Sequence, residues 1–257
     1  MGKDKLRKFA ENLTFDCFVQ PEFDDIYQKE HPLRGRWAED FFGNDKPIIL
    51  ELGCGKGEYT VALAERDPQS NYIGIDIKGA RMWKGAKYAT QIGLKNVGFL
   101  RTRIEFINSF FAQGEISQIW ITFPDPQLKR RRAKKRLTSP LFLERYAQML
   151  TLDGAINLKS DSKHLFNYTR EVISHFGLKT LASNDDIYGS GYADETLSVK
   201  TAYEALFLSR GLPITYTKFA LEGKSVFPHF EWEEDLKLKD EKDNEEERVG
   251  LPKNPFV

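Results

Sequence analysis

Ile48-Ile49-Leu50-Glu51-Leu52-Gly53-Cys54-Gly55-Lys56-Gly57 is an apolar run that empties into a G-x-G-x-G turn, with a helix-forming segment, residues 58–66, behind it. A run of β-branched and apolar side chains, interrupted only by Glu51, predicts a buried strand. Glycines at its end let the backbone adopt conformations barred to larger residues and approach a ligand closely. Glu58 stands where the dinucleotide pattern G-x-G-x-x-G has its last glycine, which shifts the expected ligand towards a nucleoside without pyrophosphate. A tight strand-to-helix turn with no ligand is the alternative that such a motif leaves open when it stands alone.

Working outward, similar apolar runs recur at 72–77, 97–100, 118–123 and 155–158, separated by segments with helical spacing at 59–66, 80–92, 104–112, 141–150 and 162–176. Gly93, Gly114 and Gly177 read as helix stops and Ser139-Pro140 as a helix start. Strictly alternating strands and helices predict an α/β fold: a doubly wound, mostly parallel sheet with right-handed crossovers and helices on both faces. Beyond Gly177 the pattern loosens into a strand at 178–182, a polar loop at 184–194, a helix at 201–209 and a strand at 214–221. This divides the chain into an N-terminal arm and lead-in (1–45), one catalytic domain (46–222) and a charged C-terminal tail (223–257) expected to be partly ordered at best.

The 257 residues carry 38 basic and 38 acidic side chains, so the formal charge is zero, but it is polarised. Basic residues gather at 3–8 and 129–136 while acids crowd 231–247. With two cysteines, no paired spacing, a polar start and no apolar run near the ~20 residues that cross a bilayer, the composition predicts a reduced, cytoplasmic protein without a membrane role. It leaves the oligomeric state open. His31, His164, His175 and His229 lack metal-ligand spacing, so no metal is expected, and Cys54 has no base beside it to make it a nucleophile.

Two carboxylates stand out. Asp76 ends the strand after the glycine turn, about twenty residues on, where an acid can bind both ribose hydroxyls of an adenosine; capping the next helix is the plainer role. Asp125 lies in Phe123-Pro124-Asp125-Pro126, where the prolines predict extended or turn geometry over 122–125 and a stiff strand end. Seven basic residues follow among the eight at 129–136, a density that phosphates neutralise and that otherwise forms a solvated loop.

The glycine turn and the acid at Asp76 resemble those of class I S-adenosylmethionine-dependent methyltransferases. Phe123-Pro124-Asp125-Pro126 with its basic run, Asn157-Leu158-Lys159-Ser160-Asp161 and Thr201-Ala202-Tyr203-Glu204 resemble, in that order, the bacterial tRNA (guanine-N7)-methyltransferases. The resemblance implies methyl transfer from S-adenosylmethionine to N7 of a guanosine in tRNA, in the variable loop. It implies that Glu51, Gly53, Gly55 and Gly57 hold the methionine end and Asp76 the ribose. It places Asp125 as the catalytic carboxylate at the junction of cofactor and guanine, and Lys129, Asp161, Thr201, Ala202, Tyr203 and Glu204 against the substrate.

Two positions depart from that pattern. Arg103-Ile104 replaces the acid or amide followed by Ala near the adenine, and Gln127 replaces an aromatic residue after Phe123-Pro124-Asp125-Pro126. A nicotinamide-dependent oxidoreductase is disfavoured by Glu58. An RNA-binding module without catalysis draws support from Arg103 and is opposed by Glu51, Asp76 and Asp125.

Overall fold

The computed structural model describes residues 3–237, and within them the apolar runs pair into one eight-stranded sheet. Its strands are β1 (Phe18–Val19), β2 (Ile48–Leu52), β3 (Asn71–Asp76), β4 (Val97–Arg101), β5 (Ile116–Thr122), β6 (Leu150–Ser160), β7 (Lys179–Asn184) and β8 (Thr215–Ala220). They lie in the order β1-β4-β3-β2-β5-β6-β8-β7, parallel except for β8, which runs antiparallel to both its neighbours. The helices are α1 (Lys3–Asn12), α2 (Phe23–Ile26), α3 (Glu58–Arg66), α4 (Gly79–Gln91), α5 (Pro140–Ala147), α6 (Lys163–His175), α7 (Ala202–Leu208) and α8 (Glu233–Lys237).

The doubly wound expectation follows from the period of two in a strand. Leu50 and Leu52 pack with Ile73, Ile75, Ile119 and Ile121 in one core that also receives Phe142 of α5 and Leu165 and Val172 of α6. Ile49 faces the other way with Tyr72 and Trp120, among Val61 and Leu63 of α3 and Met82 and Ala86 of α4. Every side chain of β2 is buried, the four apolar ones and Glu51 alike.

Two segments differ from expectation. Residues 104–112 form only a 3-10 turn, Ile104–Ser109. The Trp37 indole donates to the Phe110 carbonyl at 2.8 Å and the Ala112 amide donates to Glu115 at 2.8 Å, so both backbone groups are taken by partners that end the helix. Strand β6 begins at Leu150 rather than 155, because Leu150 pairs with Ile116 even though exposed Leu152 and Asp153 break the apolar pattern between.

The N-terminal arm, whose structure the sequence leaves open, is helical. Helix α1 docks on α4, with the Asn12 amide donating to Gly79 O at 3.0 Å and Glu11 accepting from the Trp83 indole at 2.9 Å and from Lys87 at 3.1 Å. At the other end of the chain, Phe227 and Trp232 are buried and α8 packs on the basic turn. The expectation of partial order covers 223–257, of which residues 238–257 lie outside the described residues.

Candidate active site

From β2 the chain winds to β3 on one side, while β5 lies on the other, so the carboxyl ends of β2 and β5 open a crevice at the topological switch point. Glu51, 4 % exposed, spans the base of that crevice. It accepts hydrogen bonds from the Thr60 hydroxyl of α3 and, at 2.5 Å, from the Thr122 hydroxyl of β5. Burial raises its carboxyl pKa, and the two threonine bonds oppose that shift. Three elements are thus tied together beneath the glycine turn.

Gly53, Gly55 and Gly57 all have left-handed φ, at 77°, 56° and 72°. A Cβ at Gly57 would run into the Phe99 ring, so close helix-sheet packing requires that glycine, whereas Gly53 faces open space. Gly53 and Cys54 donate to Ile75 O, and Gly55 donates to Asp76 Oδ2 at 3.0 Å. The other Asp76 oxygen accepts from the Lys78 amide at 2.8 Å. Asp76 therefore braces the turn and the start of α4 together. A carboxylate offers about four acceptor positions, so these two bonds leave it capacity for a ligand.

Asp125 is exposed at the end of β5, and its Oδ1 accepts from the Gln127 amide at 3.0 Å. The surrounding loop is more contorted than the prolines alone predict. Phe123 and Gln127, on either side of Pro124-Asp125-Pro126, take left-handed φ of 48° and 50°. Non-glycine residues hold that conformation only where their surroundings impose it. The Phe123 amide donates to Lys159 O at 2.8 Å, extending the β5–β6 ladder one residue beyond Thr122, up to Pro124.

The basic run separates into two parts. Residues Arg130–Lys135 form a 3-10 turn whose arginines and lysines are exposed, as a phosphate-binding surface requires. Lys129 precedes it, half-buried. Arg136, expected to share that grip, instead has a fully buried side chain. Its guanidinium donates to Asp235 at 2.6 and 2.7 Å, and to the carbonyls of Pro126 at 3.3 Å and Gln127 at 3.2 Å. Its partner lies 99 residues away, and nothing local marks it out from its basic neighbours.

Asp161 follows β6 directly; it is half-buried, and desolvation raises its carboxyl pKa. Thr201 caps α7, its hydroxyl accepting from the Glu204 amide at 3.1 Å. Ala202 opens that helix, Tyr203 is exposed, and Glu204 turns inward. Glu204 pairs with Lys159 at 2.7 Å, both side chains being fully buried, and accepts from the Tyr188 hydroxyl at 2.6 Å. Its second carboxylate oxygen is buried without a hydrogen-bond partner among the described residues. Lys159 also donates to the carbonyls of Leu197 and Val199. Burial lowers its pKa and Glu204 opposes that shift. In the sequence, Lys159 stands in a motif that gives it no role of its own, and nothing marks Tyr188 or Asp235. The signal for Lys159 is a lysine that directly follows the apolar run 155–158.

Among the described residues, no cluster of side chains forms a metal site, and no helix is long and apolar enough to cross a membrane. A family model described as "Putative methyltransferase" matches residues 45–217. A tRNA (guanine-N(7)-)-methyltransferase of Christiangramia forsetii is 49% identical over 222 residues, spanning 86% of this chain and 99% of the relative. One from Bacteroides fragilis is 48% identical over 237 residues, spanning 91% of this chain and 93% of the relative. The solved structure of the 16S rRNA methyltransferase KamB superposes with a TM-score of 0.53 at 13% identity, over 71% of this chain and 89% of that one, a likeness of fold alone.

Proposed function

The chain belongs to the tRNA (guanine-N(7)-)-methyltransferase family, and from that premise we infer that the crevice between β2 and β5 brings S-adenosylmethionine and a guanine of tRNA together at Asp125. The protein is a methyltransferase that modifies tRNA at N7 of guanosine. The observation that supports this use of the crevice is its construction. The glycine turn braced by Asp76 and the exposed carboxylate of Asp125 stand at the carboxyl ends of adjoining strands.

The residues present fit the methyl donor. Gly53 leaves open space above the turn, and Asp76 retains acceptor capacity for the ribose hydroxyls. Bound there, S-adenosylmethionine supplies an electrophilic methyl group on a sulfonium. Glu51 keeps the floor rigid through Thr60 and Thr122 while the Gly53–Gly57 backbone lines the methionine end. N7 of guanine carries a lone pair and no proton, so the chain needs alignment and charge placement more than a base. Asp125 holds the purine and balances the positive charge that develops on it.

Lys129 and Asp161 contact the substrate, and the exposed cations of Arg130–Lys135 track the phosphates. The Thr201 to Glu204 segment closes the guanine site. Glu204 is internal in this structure, so that role requires α7 to shift until its unpartnered carboxylate oxygen meets the base. The target is the variable loop, where an N7 engaged in tertiary pairing must be loosened to be reached. Nuclease digestion of tRNA methylated by the protein, with mass mapping, is expected to find 7-methylguanosine in the variable-loop fragment. Its recovery from another arm would overturn this assignment.

A further inference from the structure

We propose that residues 227–237 buttress the active site, with Asp235 locking Arg136 and Arg136 holding the loop that carries Asp125. The proposal rests on Asp125 as the reacting-site carboxylate. It gives Arg136 and Asp235 the part of positioning residues, which touch neither substrate nor cofactor.

Every link is a direct polar or ring interaction. Arg136 Nη1 meets Asp235 Oδ2 at 2.6 Å and Nη2 meets Oδ1 at 2.7 Å, a two-pronged pair whose side chains are 0% and 5% exposed. The same guanidinium stacks over Tyr168, 4.3 Å from the ring centroid, and lies 3.0 Å from His164 Nε2. It also donates to the loop, Nε to Pro126 O and Nη2 to Gln127 O. Gln127 in turn donates its amide to Asp125 Oδ1. Its left-handed φ of 50° is a conformation that side chains other than glycine rarely adopt, so something must hold it. Arg136 grips the carbonyls on both sides of the Pro126–Gln127 link, and the planar fork of arginine suits that task.

Stability alone does not require a buried ion pair here. Apolar side chains of similar volume commonly replace such a pair without loss of fold. What they cannot do is donate to the carbonyls of Pro126 and Gln127. That difference separates a positioning role from a packing role.

The test uses the full chain and compares Asp235→Asn and the double variant Arg136→Met with Asp235→Leu. Methyl transfer to tRNA, thermal unfolding and the hydrogen exchange of the Gln127 amide are measured on each. The expected result for the double variant is a melting temperature near wild type, KM for S-adenosylmethionine and for tRNA within about twofold, kcat reduced at least about tenfold, and faster exchange at Gln127. Asp235→Asn is expected to lower kcat in the same direction. Recovery of kcat together with melting temperature in the double variant would overturn the proposal, as would unchanged exchange at Gln127. If the wild type failed to methylate tRNA, the functional reading would fall, whereas unchanged Gln127 exchange would reject the buttress on its own.

Discussion

Lys159 Nζ and Glu204 Oε1 lie 2.7 Å apart with neither side chain reaching solvent, which joins strand β6 to helix α7 through a charge pair sealed in the interior. Tyr188 and the carbonyls of Leu197 and Val199 complete its polar shell. Removing one partner strands the other charge, at a cost of about 3–5 kcal/mol. Lys159→Met is therefore expected to lower the melting temperature by about 10 °C. Adding Glu204→Leu is expected to recover most of that loss, because no buried charge is then left unpaired. Equal melting temperatures for the single and double variants would contradict the burial described.

Asp125→Ala removes the exposed carboxylate proposed to orient guanine while leaving Glu51, Asp76 and the glycine turn in place. Methyl transfer is expected to fall by about 10²- to 10³-fold, the scale on which a single preorganised electrostatic group acts. Calorimetry is expected to show that part of the S-adenosylmethionine affinity survives. Unaltered turnover would remove Asp125 from the reaction.

The division within the basic run predicts different outcomes for neighbouring arginines. Neutralising Arg130, Arg131 and Arg132 to Gln is expected to flatten the dependence of log affinity for tRNA on log salt by about 2 to 3, roughly one for each phosphate that is no longer neutralised. Arg136→Gln is expected to lower thermal stability and leave the salt slope unchanged, since Arg136 is bound to Asp235 inside the protein. A slope equally flattened by Arg136→Gln would place its side chain at the surface.

The sheet was legible because its strands announce themselves locally: Ile48–Leu52 is apolar but for Glu51, and a glycine turn follows it directly. Asp76, which ends β3, and Asp125, three residues beyond β5, stand out in the sequence for the same reason. Less legible were pairings between residues distant in sequence. Nothing near Arg136 distinguishes it from Arg132, because Asp235 decides its burial; nothing near Glu204 foretells Lys159. The arm at Lys3–Asn12 is helical because Trp83 of α4 lies beneath it, a partner that composition cannot disclose.

Both cysteines are expected to be unreactive in the folded protein. Burial pushes the Cys54 thiol well above its ordinary pKa, reinforced by the charges of Glu51 and Asp76, and burial likewise raises that of Cys17. Thiolate, the reactive form, is therefore scarce at pH 8. Iodoacetamide, followed by mass spectrometry, is expected to label neither within the time that modifies both in denaturant. Rapid labelling of Cys54 in the native protein would mean that the glycine turn is open.

Methyl transfer from S-adenosylmethionine to N7 of a tRNA guanosine is expected to take place in the crevice at Asp125. The most direct measurement incubates the protein with methyl-labelled S-adenosylmethionine and unmodified tRNA, then identifies the labelled nucleoside by mass. The predicted result is label in 7-methylguanosine with wild-type protein and nearly none with Asp125→Ala; label on a different base or atom, or equal label with both proteins, would contradict it.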